Sequence, residues 1–369
     1  MQKIKQNEKS NQIYEEIKSN SELWHLFTRK EEYNIIKLDK HNRFSYKISN
    51  YKEPLQPRVS EYLIKKGFNI EYPDDKKFAV VLTHDIDDVF LTLRHALRSF
   101  IPFPINKDFF GFKKLLITKI REKKSPYLNF SKIIDLEKKY NAKSSFYFLA
   151  DENDIFGNKY LLENLQEEIS YIIDEGCEIG LHTGYNAFDN LYDIKKQKNK
   201  IEQIIQKRII SVRNHLLRFK IPESWELLSD AGFEYDTSLG YYDMIGFRNG
   251  MCHPFQPFNL IKNKKIEISE IPVCVIDIAL FSYMKINAIK SWEYIKNLID
   301  TVERFGGVVT ILWHNWTFSF PVSYAGLFGV EWTKLYEKIL IYCTKKNSWI
   351  TNGYEIYKHY KKQGFLKKN

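Results

Sequence analysis

Asp85 and Asp87 stand two residues apart at the end of the apolar run Phe78-Ala-Val-Val-Leu-Thr83, and three further runs end in an isolated histidine. These are Glu178-Ile-Gly-Leu-His182, Ile210-Ser-Val-Arg-Asn-His215 and Gly307-Val-Val-Thr-Ile-Leu-Trp-His314. Short β-branched runs that each finish in an ionisable side chain are the pattern of parallel strands whose C-terminal ends share one pocket. Two carboxylates and three imidazoles meeting there would suit a divalent metal with proton transfer beside it.

The remaining pattern supports that topology. Helices are expected over about 133–140, 164–175, 192–206, 222–231, 291–305 and 331–345, with further strands at 144–149, 233–236 and 266–278. Alternation of this kind over more than two hundred residues predicts an α/β fold with a parallel sheet, closed as a complete or distorted (β/α) barrel. Residues 1–76 are polar and mixed, with a predicted helix at 14–29, strand-like pieces at 33–38 and 43–48, and interruptions at Pro54 and Pro57. They are expected to form a small N-terminal accessory region, the barrel running over 77–350 and a basic C-terminal tail over 351–369. Arg94, Arg98, Lys113 and Lys114 interleave with Phe103, Phe109 and Phe110 in a stretch at 94–125. It reads as an amphipathic insertion packed on the barrel, with peripheral contact to a membrane face as the rival.

Charge and composition bound the partners. A net charge of +10 favours an anionic partner over a cationic one. The lysines are scattered and carry no recognition motif, so no nucleic acid is expected. Cys177, Cys252, Cys274 and Cys343 lie far apart without metal or redox spacing, and are expected as reduced, mostly buried thiols. Neither an apolar leader-like segment at Met1 to Ser10 nor an 18-residue apolar run is present, which points to a cytoplasmic chain.

Side chains two apart on a strand face the same way, so Asp85 and Asp87 share a side while His84 points away. Carboxylates that close repel unless a cation binds one or a proton is shared, which leaves one as a metal ligand and the other as a base. Arg213 and Arg218 flank His215 and could orient carboxylates or bind a sugar phosphate. His314 could protonate a leaving amine, and Asn315 beside it is a candidate for positioning substrate. Trp313, Trp316, Tyr241 and Tyr242 could stack on sugar rings or pack the core.

Thr83-His-Asp-Ile-Asp87, Ser145-Phe-Tyr-Phe148, Glu178-Ile-Gly-Leu-His182 and Leu312-Trp-His314 resemble, in order and spacing, the successive motifs of the polysaccharide deacetylase (NodB-homology, carbohydrate esterase family four) superfamily. The resemblance covers about residues 77–350. Arg213 to Arg218, Tyr235 to Tyr241 and Gly246-Phe-Arg248 look closer to a divergent branch associated with bacterial surface-glycan loci. It implies a distorted (β/α) barrel, one zinc-type divalent metal ion, and hydrolysis of an N-acetyl group from an amino sugar. Carried over by position, Asp85 is the general base, Asp87 and His182 are metal ligands and His314 is the general acid.

Two departures qualify the transfer. The usual adjacent Asp-Asp is here Asp85-Ile-Asp87, and the usual second histidine, four after the first, is Asn186. An amide oxygen replaces imidazole poorly on zinc, so His215 is the expected third ligand, with Asn186 left as a substrate contact. Arg248 is a candidate for a substrate phosphate or carboxylate. The expected substrate is an amino sugar, nucleotide- or lipid-linked, carrying acetyl, formyl or another N-acyl group. The rival reading is a non-catalytic glycan-binding or scaffold protein on a degenerate barrel.

Overall fold

The strand that carries both aspartates, β1 (Ala79–Ile86), is buried along its whole length, as its unbroken apolar run requires of a parallel strand covered on both faces. The computed structural model describes residues 2–34, 37–90, 125–151, 154–156, 160–319 and 329–366. The strands continue as β2 (Ser144–Leu149), β3 (Glu178–Thr183), β4 (Ser211–Asn214), β5 (Tyr235–Asp236), β6 (Phe258–Asn259) and β7 (Lys264–Lys265). They end with β8 (Ser269–Glu270), β9 (Val275–Ile276), β10 (Val308–Leu312) and β11 (Trp349–Thr351). Among the described residues one parallel sheet runs β8-β5-β4-β3-β2-β1-β10-β9, with β11 also paired to β1. β6 and β7 form a separate antiparallel pair.

β8 and β9 are the two ends of this order, yet only residues 271–274 separate them in the chain. The five peptide steps from Glu270 to Val275 span at most about 18 Å. The sheet therefore curls until its ends approach, giving a distorted (β/α) barrel. Val273 N–H donates to Leu239 O and Cys274 N–H to Thr310 O, both at 3.1 Å, so this short segment is stitched to both sides of the gap. The continuous strand expected over 266–278 is thus two short ones, because Pro272 has no N–H to donate to a ladder.

Helices Phe130–Lys138, Gln166–Asp174, Leu191–Ile205, Glu223–Asp230, Ala288–Arg304 and Gly329–Lys345 lie close to the positions their periodicity predicts. The described part of the expected basic tail, 351–366, is structured instead. β11 pairs with Ala79 to Val81, and Asn352 caps the helix Gly353–Lys362 by accepting from Glu355 N–H at 3.0 Å. Ile356, Tyr357 and Tyr360 of that helix are buried, so its lysines are the wet face of an amphipathic element. The basic-aromatic stretch at 94–125 falls almost wholly outside the described residues.

Residues 2–65 contribute helices Gln2–Lys18, Ser21–Phe27 and Arg58–Lys65. The strand-like reading of 43–48 gives way to a single 3₁₀ turn at Tyr46–Ile48, where Ser45 Oγ accepts from Lys47 N–H at 3.1 Å. Phe247 N–H donates to Pro54 O at 2.7 Å. That close approach needs glycine next door, since Gly246 has φ +128° and a Cβ there would strike the Pro54 carbonyl. Beneath this contact Glu32 accepts from Arg29 Nε at 2.6 Å and Arg248 Nε at 2.9 Å, with all three side chains buried. Glu32→Ala would strand two buried guanidinium groups and should cost about 3–5 kcal/mol in urea denaturation. A loss below about 1 kcal/mol would rule out this network as a fastener.

Candidate functional site

The parallel register sends the C-terminal end of each strand in the main sheet to one face, and a cleft of about 420 Å³ opens there. Asp85, Asp87, His182, His215 and His314 all line it. Ligand atoms of Asp87, His182 and His215 lie within 4.8 Å of one another. Asp87 Oδ1 is 3.1 Å from His182 Nε2 and 3.8 Å from His215 Nε2, yet it is buried without a hydrogen-bond partner. A buried carboxylate oxygen with no hydrogen-bond partner, set between two imidazole nitrogens, makes with them a donor set that fits a divalent cation.

The far nitrogens of the two rings fit this reading. His182 Nδ1 lies 3.0 Å from Arg213 O, which can only accept, so Nδ1 carries the proton and Nε2 presents its lone pair. His215 Nδ1 lies 3.2 Å from Asp154 Oδ2, the carboxylate support common behind metal-binding histidines. His215 reaches inward because Leu216 and Leu217, at φ +57° and +53°, turn the chain sharply after β4. Burial would raise the Asp87 carboxyl, but the neighbouring His215, His182 and His314 hold it well below the usual carboxylate range. Burial would lower His215, but Asp87 and Asp154 raise it, so a cation would compete there with a proton.

Two acid–base pairs flank the triad. Arg213 Nη1 donates to Asp85 Oδ1 at 3.0 Å and to Thr83 Oγ1 at 2.8 Å, while Asp85 Oδ2 stands 3.7 Å from His182 Nε2. His314 Nδ1 meets Asp277 Oδ1 at 2.7 Å, and its Nε2 faces Asp87 Oδ2 at 3.6 Å. Burial alone would lower His314, but Asp277 and the cleft carboxylates push it up to about 9. A second cavity, lined by Tyr14, Leu63, Met251 and Phe255, receives none of these groups.

No protein-family model matches the chain, and no curated protein matches it in sequence. Solved structures do match in fold. A Mycobacterium smegmatis protein assigned to the polysaccharide deacetylases superposes with a TM-score of 0.54 at 16% identity, covering 81% of this chain and 96% of that one. A Parabacteroides distasonis protein assigned as a glycoside hydrolase/deacetylase gives 0.50 at 9% identity, covering 78% and 72%. The chain has the polysaccharide deacetylase fold.

On this deacetylase barrel the other anticipated contacts fall elsewhere. Asn186 is exposed in the turn after β3 and does not line the cleft. Arg218 donates to His41 O at 2.9 Å and to Tyr185 O, and stacks 3.7 Å from the Phe188 ring, so Arg213 alone reaches Asp85. Arg248 is spent on Glu32 in the interior. Asn315 donates to Asp88 O at 2.8 Å and Tyr127 O at 2.9 Å, pinning the chain after β1. Trp313 is fully buried in the core. His84, on the other face of β1, contacts Glu137 at 2.9 Å.

Asp277 and Asp154 were missed. Asp277 follows the apolar pair Val275-Ile276 and answers to the strand-end rule that marks the histidines, whereas Asp154 sits in a loop after β2 and has no such signal. If the triad holds a divalent metal, Asp154→Ala should weaken its binding about 10- to 100-fold in a competition titration, as loss of a histidine's support typically does. Unchanged affinity would remove Asp154 from the centre. For His314 the folded value lies above the unfolded one of about 6.5, so its stabilising pairing is full below that pH and lost as pH rises through about 9. Asp277→Asn should bring the His314 NMR titration down toward the ordinary imidazole range.

Proposed function

We propose that the chain is a metal-dependent amide hydrolase that removes an N-acyl group, acetyl in the first instance, from an amino sugar. One observation carries the reading: the cation-sized set Asp87, His182 and His215 shares a cleft with two differently poised proton-transfer pairs. A binding protein needs neither pair. The fold likeness to proteins assigned as carbohydrate deacetylases supports the same class.

A divalent cation of zinc type held by Asp87, His182 and His215 would polarise the acyl oxygen and acidify water for attack. Asp85 takes the proton of the attacking water at Oδ2, the oxygen that Arg213 leaves open, while Arg213 orients the carboxylate by donating to Oδ1. The water oxygen bonds to the carbonyl carbon and the C–N bond breaks. His314 gives its Nε2 proton to the departing nitrogen, its Nδ1 being held by Asp277. Products are a carboxylic acid and a free amino sugar. Leu217, Ile276, Ile278 and Leu312 supply apolar wall for a short acyl chain.

The net charge of +10 supports an anionic carrier, a nucleotide or phospholipid, beyond the sugar, and hence a role in surface-glycan precursor synthesis. No described helix is long and apolar enough to cross a membrane. Purified protein should carry about one zinc-like ion per chain by mass spectrometry, lost in His215→Ala. Asp85→Asn should keep the ion yet lose about 10²-fold or more of acyl release. Full metal without acyl release from any N-acylated sugar would assign the cleft to glycan binding instead.

A further inference from the structure

The N-terminal region has no role in the chemistry above, yet one of its side chains enters the cleft. Arg43 lines the pocket that holds Asp87 and His314, and only 4% of its side chain is exposed. A tight turn delivers it: Asp39 Oδ1 accepts from the N–H groups of His41 at 2.9 Å and Arg43 at 2.8 Å. Asp39 Oδ2 then accepts from Arg43 Nε at 3.0 Å and Nη2 at 2.8 Å, matching the guanidinium charge with a carboxylate. The hydrogen bonds from Arg43 hold Asp39 ionised against the burial that opposes it.

The donor count is informative. A guanidinium has five N–H groups in a fixed fork. Two go to Asp39, one from Nη2 to Tyr283 Oη at 3.0 Å, and one from Nη1 to Leu216 O at 3.2 Å. One Nη1 N–H remains among the described residues. The guanidinium carbon sits over Tyr242, 3.6 Å from the ring centroid, and Tyr242 meets Tyr283 edge-on at 5.0 Å. All three side chains line the cleft. A guanidinium whose charge is already matched and which has one donor left is suited to a single neutral acceptor; a phosphate or carboxylate would call for the free bidentate fork.

We propose that Arg43, braced by Asp39 and set against Tyr242 and Tyr283, is a specificity-determining contact that reads an uncharged oxygen of the sugar, a hydroxyl or ring oxygen, within the cleft. This rests on the hydrolase reading and deepens it. The N-terminal region is then part of the binding site, and any anionic carrier is recognised outside Arg43's reach.

The test is binding of N-acetylglucosamine and N-acetylglucosamine 6-phosphate to the zinc-loaded full chain by NMR titration. Arg43→Gln should weaken both probes by a similar factor, about 3- to 10-fold, as for one lost neutral hydrogen bond. Unchanged affinities, or a loss many times larger for the phosphorylated sugar, would overturn the proposal, the latter because Arg43 would then be reading the anion. Should Arg43→Gln fail to give a cooperative thermal transition, Asp39→Asn decides. It bares the guanidinium charge and should shift preference several-fold toward the phosphorylated probe, and an unchanged ratio would refute the matched-charge argument. A wild-type chain that takes up zinc but binds neither sugar overturns this inference alone. A chain that takes up no zinc overturns the hydrolase reading with it.

Discussion

Asp87 is a half-buried carboxylate faced by three imidazole nitrogens, and the arrangement of the site depends on how that charge is matched. Its Oδ1 lies 3.1 Å from His182 Nε2 and 3.8 Å from His215 Nε2, and its Oδ2 lies 3.6 Å from His314 Nε2. A charge removed from water is tolerated only when paired. Protons on the imidazoles or a bound cation can both do this, and the two compete for the same lone pairs.

What separates three chemically identical side chains is the partner behind each. A backbone carbonyl behind His182 fixes the tautomer and adds no charge. A carboxylate stands behind both His215 and His314, but His215 shares the close donor set with Asp87 and His182, whereas His314 lies outside it and keeps its proton through Asp277. In the proposed hydrolase, distance from the Asp87, His182 and His215 donor set, more than residue type, would thus divide ligand from acid. Asp85 is distinguished from Asp87 in the same way, because Arg213 occupies one of its oxygens.

The strand ends were readable in the chain because parallel pairing leaves a simple mark: an apolar run, covered on both faces, that stops at an ionisable residue. That mark identified the runs of β1, β3, β4 and β10 and the five cleft residues they carry. It failed where the strand was drawn too long, as over 266–278, which left Asp277 inside the run instead of at its end, and where the residue sat in a loop, as with Asp154 and Arg43. It also says nothing about side chains beyond the strand tip. Arg218, Arg248 and Asn315 stood in suggestive sequence company, but they donate to carbonyls and a buried glutamate away from the cleft.

Local sequence determined the alternation of strands and helices, the parallel direction and the identity of the groups at the strand ends, since these follow from hydrophobic period and side-chain chemistry over a few residues. Tertiary structure alone decided which of those groups meet, which nitrogen of each histidine is free, that residues 349–362 add a strand to the sheet and a helix to its cover, and that a turn near residue 40 reaches the cleft. Each of these depends on contacts between residues far apart in the chain, such as Arg43 with Tyr283 or Asp87 with His215. Their geometry is set by the closure of the barrel and leaves no periodic trace in the sequence.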